Sequence, residues 1–381
     1  MTARLRPVAY VLLVWLLLFA VTEGLLRIWY PAPTRHYVWP PGLRVDFLTS
    51  AAATPGVAGP GRFRTNSLGL RSDEPFADAG RVVYIFGGST AADLYLDQEE
   101  AWVQRVQEGL NRTPGQPRTW VGNLARPSLA SVHNLIHFDR LLPELPRANL
   151  LVDLIGVNDL QLALKSSYLD PTPERNLDWA FALRPPEGGV ASRLATVRAV
   201  RFVWRTWQQA RLGFVQTRDG ARYARLRECR QTAPLANLVD VLPDLAPALE
   251  EYRRNLQALA ERARAYGAPI VFLTQPTLWA KDMGASERSR LLAGGIGPIK
   301  TWCTHQRYYS PQALAAGMQA FNDVLRDVCR APGMTCRDLA AALPSRAEYF
   351  YDDMHFSEAG AARVAELVVG WIGELRAPPH P

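Results

Sequence analysis

Three short blocks carry the residue types that nucleophilic catalysis needs, and they lie far apart along the chain. The first is IFGGST, Ile85 to Thr90, where a Gly-Gly-Ser turn follows an apolar run. Glycines let the chain bend sharply, so Ser89 would stand exposed with its own N–H aimed at a developing oxyanion. In YFYDDMHFSEAG, Tyr349 to Gly360, Asp352 and His355 stand three apart. On a tight loop that spacing lets the carboxylate accept from one imidazole nitrogen while the other faces Ser89, which sets the tautomer and stabilises the imidazolium. Asp353 competes for the same role; its offset is one residue shorter, and Asp352 is preferred. Between these blocks, LIGVNDL, Leu154 to Leu160, offers the Asn158 side chain as a further oxyanion donor, with Gly156 permitting close approach. Read singly, each block has a plainer account: a glycine-rich turn, an Asn-Asp helix cap, and Ser357 as the cap of a following helix.

The elements that would hold these blocks follow a regular alternation. Continuous apolar runs at Val82 to Phe86, Thr119 to Gly122, Leu150 to Ile155 and Pro269 to Thr274, with a short run near Cys336 to Leu339, read as strands covered on both faces. Amphipathic stretches at Trp102 to Leu110, Ser131 to Leu142, Leu245 to Ala265, Pro311 to Val328 and Glu358 to Leu375 read as helices between them. That order predicts a doubly wound α/β domain over 81–376, with the blocks at the carboxyl ends of its strands. About ninety residues between the third strand and the helix before the fourth exceed a normal crossover, so an insertion is expected at about 165–245.

The remaining segments place the domain. Arg4 and Arg6 precede the apolar run Val8 to Val21, which Leu25, Leu26, Ile28 and Trp29 extend past Glu23. Positive charge before such a run is the export orientation, so residues 1–30 are expected to be a retained membrane anchor or a cleaved signal, with the body periplasmic or outside the cell. Residues 31–80, rich in Pro, Gly and Ala, read as a stalk whose FRTNSLGLR segment, Phe63 to Arg71, docks on the domain; 377–381 form a tail. The formal charge is +7, with only three lysines. The excess sits between Arg184 and Arg230, where eleven arginines face three acids. In VRAVRFVWRTWQQAR, Val197, Val200, Trp204 and Trp207 share one helical face and Arg198, Arg201 and Arg205 another. A solvated amphipathic helix is the plain reading; contact with anionic lipid or a polyanion is the functional one, and nothing points to nucleic acid.

The cysteines, Cys229, Cys303, Cys329 and Cys336, include no CxxC pair and no histidine at zinc-ligand spacing, and neither a metal nor a cofactor is expected. Cys329 and Cys336 either close a small loop or stay as thiols. His133 and His137 stand four apart on a predicted helix, without an acidic partner. In TQPTLW, Gln275 and Trp279 either line a substrate groove or pack.

Taken in order, the G-x-S, G-x-N-D and D-x-x-H blocks resemble the SGNH (GDSL-like) hydrolases over roughly Val82 to Leu375, apart from the insertion. The resemblance implies a flavodoxin-like three-layer α/β/α sandwich and ester hydrolysis or acyl transfer. It makes Ser89 the nucleophile, His355 the general base, Asp352 its orienting acid and Asn158 an oxyanion donor. Gly88 replaces the usual Asp, as in the GGST branch. The family's second block, Asn-x-Gly-x-x-Gly, stands here as AsnLeuAlaArgProSer, Asn123 to Ser128, so the Ser128 N–H would have to serve as an oxyanion donor. If a positive φ is needed there, Ser128 would be strained. The expectation is a membrane-anchored serine esterase acting on an O-acyl, above all O-acetyl, ester of a cell-envelope or exported glycan. The alternatives are an O-acyltransferase with the same triad, a lipid esterase, or an inactive scaffold of a polysaccharide export complex.

Overall fold

The computed structural model describes residues 5–30, 35–48, 50–164, 194–200, 203, 207 and 217–375. A short antiparallel hairpin, β1 (Arg44–Leu48) with β2 (Pro60–Arg64), precedes the central sheet. The sheet comprises β3 (Arg81–Gly87), β4 (Thr119–Asn123), β5 (Leu150–Leu154), β7 (Ile270–Leu273) and β9 (Thr335–Arg337), all parallel, in the order β4-β3-β5-β7-β9. A two-residue parallel pair, β6 (Leu238–Val239) with β8 (Tyr308–Tyr309), lies outside it. Every residue of β4, β5 and β7 is buried, which is why their sequences run apolar without alternating.

Helices cover both faces, giving the expected three-layer α/β/α sandwich. α3 (Trp102–Arg112) packs with the closing helix Glu358–Glu374. α4 (Ser131–Arg140), α5 (Val157–Leu164), α7 (Ala246–Tyr266) and α8 (Pro311–Val328) pack with one another. α7 buries Tyr252, Leu256, Leu259 and Ala263, one helical stripe, and stops at Gly267, whose φ of 83° ends the last turn. Ser310 and Ser357 cap α8 and the closing helix by accepting from Ala313 N and Gly360 N. The chain leaves β3 for β4 on one side and returns to β5 on the other. The switch between β3 and β5 opens a crevice at their carboxyl ends.

Residues 35–48 and 50–80 are bound more tightly than a stalk. Val38, Phe63 and Leu70 are buried in the same core as the sheet, and Trp39 stands edge-on to Phe63 at 4.9 Å. Within the Phe63 to Arg71 segment, Asn66 Oδ1 accepts from Leu68 N and Leu70 N and so shapes the turn. The sequence hides this hairpin, because its buried side chains are single residues set among Pro and Gly.

α1 (Leu5–Trp29) holds one stretch, Pro7–Trp29, long and apolar enough to cross a membrane by length and composition. Within the expected insertion, residues 195–200, 203 and 207 are helical and α6 (Thr217–Gln231) follows. Arg201, Trp204 and Arg205 lie outside the described residues. Disulfides join Cys229 to Cys303 and Cys329 to Cys336. The second closes the small loop; the first, between residues 74 apart in sequence, has no signal in spacing.

Candidate active site

β3 ends at Gly87, Gly88 follows as the N-cap position, and Ser89 opens α2 (Ser89–Ala92), a single turn at the crevice. As a first-turn residue, Ser89 has an N–H with no intrahelical carbonyl to bind. The turn is braced on every side. Trp102 Nε1 donates to Thr90 O at 2.9 Å, and Thr90 Oγ1 donates to Gln275 Oε1 at 3.3 Å. Asp93 closes the turn in the left-handed region, φ 45°, with its carboxylate accepting from Trp102 N. The buried Arg71 guanidinium donates to Ala92 O, Asp93 O and Leu96 O. Burial pushes the Asp93 carboxyl up to about 7, against the opposing charge of Arg71 and the Trp102 N–H.

Asn158 is the second residue of α5, which begins three residues beyond the end of β5. Its Nδ2 donates to Leu129 O at 2.8 Å, and a Cβ on Gly88 would overlap that nitrogen. Here lies the physical reason for glycine in the place of the usual Asp. The neighbouring Asp159 carboxylate accepts from both Ser131 N and Ser131 Oγ, capping α4, while Asn255 Nδ2 donates to the same hydroxyl. Two adjacent residues of α5 thus grip the 129–131 segment.

That segment directly follows the altered second block, Asn123 to Ser128. Asn123 Nδ2 donates to Ala91 O at 2.8 Å, tying the block to the Ser89 turn. Leu129 N donates to Arg126 O, closing a turn with Pro127 second and Ser128 third. Ser128 carries φ 68°, a left-handed conformation that favours glycine. Pro127 sets the turn and the grip on 129–131 holds it, so the serine adopts a backbone that costs an L-residue about 1–2 kcal/mol.

On the 349–357 loop, His355 Nδ1 lies 2.7 Å from Asp352 Oδ2, and the other Asp352 oxygen accepts from Met354 N and His355 N. Burial opposes charge on both groups. Their mutual attraction outweighs it, holding Asp352 below its ordinary value and His355, with help from Asp93 and Asp353, above its own. Asp352 is therefore the acceptor and Nδ1 the donor. The Tyr351 ring stacks on His355, centroids 5.5 Å apart. Asp353 turns away and accepts from Trp279 Nε1, Leu292 N and Ala293 N.

Gln275 and Trp279 are buried, 1% and 4% exposed. Of the two readings of this pair, their contacts are those of packing: Trp279 holds Asp353, and Gln275 holds Thr90 and exchanges hydrogen bonds with Asn322. His133 and His137 are buried rather than on a helix surface, and His133 Nδ1 accepts from Ala130 N at the start of α4. Sequence reasoning missed Arg227 of α6. Its guanidinium donates to Tyr351 O and Ala53 O, each at 3.0 Å, and to Ala52 O, strapping the His355 loop to the 50–53 segment. Arg230 donates to Tyr309 O and lies over the Tyr308 ring. Two of the clustered arginines thus serve the fold, and only the position of Cys229 between them hints that α6 is fixed in place.

Residues 85–363 match the sequence model of the GDSL-like Lipase/Acylhydrolase family. No curated protein sequence matches the chain. Similar solved structures include an alpha/beta hydrolase enzyme from the metagenome of Lake Arreo, 14% identical, covering 77% of this chain and 96% of that one, with a TM-score of 0.42. An acetylxylan esterase of Geobacillus stearothermophilus is 12% identical over 79% and 98%, with a TM-score of 0.42. A lipase/acylhydrolase of Enterococcus faecalis is 14% identical over 79% and 100%, with a TM-score of 0.39.

Proposed function

The chain belongs to the GDSL-like lipase/acylhydrolase family and is a hydrolase of ester bonds, and from that premise we propose that it is a serine esterase whose triad is Ser89, His355 and Asp352. The observation that carries this assignment is the 2.7 Å contact of His355 Nδ1 with Asp352 Oδ2, which leaves Nε2 to act. Ser89 Oγ attacks the acyl carbonyl while Nε2 takes its proton, and Asp352 holds the imidazolium. The oxyanion accepts from the N–H of Ser89, the N–H of Ser128 and the second Nδ2–H of Asn158, whose first is spent on Leu129 O. Nε2 then returns the proton to the leaving alcohol, and water releases the acid by the reverse path.

The substrate we assign is an O-acyl, above all O-acetyl, ester on a cell-envelope or exported glycan. That reading rests on α1 as a membrane anchor with the domain on the far side, where glycans are the acylated polymers within reach. Labelling of the full-length protein by a fluorophosphonate probe tests the nucleophile: Ser89 should label, and Ser89→Ala should abolish the signal. Equal labelling of the variant would overturn the assignment.

A further inference from the structure

Glu23 interrupts the apolar sequence of α1, six residues before Trp29. Six residues of helix rise about 9 Å, so if α1 spans a bilayer Glu23 lies inside the hydrocarbon region rather than at its edge. A carboxylate there is costly unless partnered, and its partners mark what the position is for. Glu23 is 7% exposed and accepts from Ala195 N at 2.7 Å, from Thr196 N at 3.0 Å and from Thr196 Oγ1 at 3.1 Å, with Arg27 completing the set. These are the orphan donors at the start of the insertion's first described helical turn. Arg198 Nε donates to Tyr30 O, a second tie to the end of α1. The start of the insertion helix is therefore held at the depth of Glu23.

The two faces of that helix differ. Ala195 and Ala199 are buried, whereas Val200, Val203 and Trp207, spaced three and four apart, are 68%, 59% and 45% exposed. Leu25, Ile28 and Trp29 of α1 are likewise exposed, at 58%, 74% and 78%. An exposed apolar face on a helix fastened to a membrane span at hydrocarbon depth by a satisfied carboxylate fits lipid rather than water.

We propose that residues 195–200, 203 and 207 belong to a second membrane-embedded element, clasped to α1 by Glu23, with Val200, Val203 and Trp207 in the acyl chains of the domain-side leaflet. This inference rests on α1 being a membrane span. It replaces arginine electrostatics with apolar insertion, and it fixes the orientation of the catalytic domain instead of leaving it swinging on a tether.

Full-length protein in phosphatidylcholine–phosphatidylglycerol vesicles, spin-labelled singly as Leu16→Cys, Val200→Cys, Val203→Cys or Leu235→Cys, tests this by power-saturation accessibility. Positions 16, 200 and 203 should favour oxygen over a water-soluble nickel reagent, while the exposed position 235 should favour nickel. Aqueous behaviour at 200 and 203 with lipid behaviour at 16 would overturn the clasp and leave the anchor standing. Aqueous behaviour at 16 as well would overturn both. Should a labelled variant fail to fold, acyl-chain-brominated lipid should quench native tryptophan fluorescence, and Trp207→Phe should remove part of that quenching. An undiminished fraction would also overturn the proposal. Glu23→Ala should move positions 200 and 203 toward water.

Discussion

Gly88 lies directly against the Asn158 amide, so close that any Cβ at 88 would occupy the space of Nδ2. The nucleophile turn and the proposed oxyanion donor are fitted to each other. Gly88→Asp, although it restores the residue usual in the family, should therefore displace Asn158 and lower kcat by about 10²-fold or more toward p-nitrophenyl acetate. Asn158→Ala should lower kcat by about 10²- to 10³-fold with KM little changed. Combining Gly88→Ala with Asn158→Ala should add little beyond the worse single change. Independent losses would show that the two positions do not meet.

Asp352 and Asp353 should separate cleanly. Asp352→Asn should cut kcat by up to about 10⁴-fold, because the imidazole loses its tautomer and its counter-charge. Asp353→Asn should act mainly on stability, since Asp353 serves Trp279, Leu292 and Ala293. Comparable kinetic losses from both would undo the assignment.

The acid limb of kcat/KM should lie above 6.5, because His355 must be neutral to act as base and its neighbours raise it above that ordinary value. Activity then rises as pH climbs through the raised value. Removing the charge of Asp352 should move the limb to lower pH in whatever activity remains. The stability attached to His355 runs the other way: it is complete below the unfolded value near 6.5 and fades as pH rises through the folded one. A limb below 6.5 in the wild type would contradict this electrostatic picture.

Ser128→Gly should keep the backbone N–H and relieve the left-handed strain. We expect activity within about two-fold of wild type and a gain of about 1 kcal/mol in unfolding free energy. Ser128→Val, β-branched at φ 68°, should cost stability and kcat together. Denaturant titration of the pair against wild type reads both.

Arg227→Ala strands the carbonyls of Ala52, Ala53 and Tyr351, so a loss of about 2 kcal/mol is expected. Because Tyr351 stacks on His355, kcat should fall as well, with KM held. Cys303→Ser, which frees α6 from its disulfide, should reproduce the kinetic effect in weaker form. Normal kcat in both variants would separate α6 from the catalytic loop.

Much of this was legible because the informative features were local. Continuous apolar runs gave the five sheet strands, and Ser89, Asn158, Asp352 and His355 sit in short blocks at strand or loop ends. Loop offset favours Asp352 over Asp353; Asp352 meets His355 Nδ1 and Asp353 meets Trp279 Nε1. What stayed hidden is non-local. Nothing near Arg227 or Arg71 announces that each will hold four backbone carbonyls far away in sequence. The burial of Trp279 depends on Asp353, 74 residues later. The helical start of α5 at Val157 was missed because Gly156 and Asn158 read equally well as a turn.

The packing of residues 35–80 bears on how the protein can be handled. A soluble fragment cut to the family match would begin near residue 85 and discard Phe63, Leu70 and Arg71. Three carbonyls behind the Ser89 turn would lose their guanidinium, and the apolar trough that receives Phe63 would face water. Such a fragment should aggregate, whereas one starting at residue 35 retains every one of these contacts. The practical boundary for expression and crystallisation is therefore drawn by a hairpin that the family's own limits leave out.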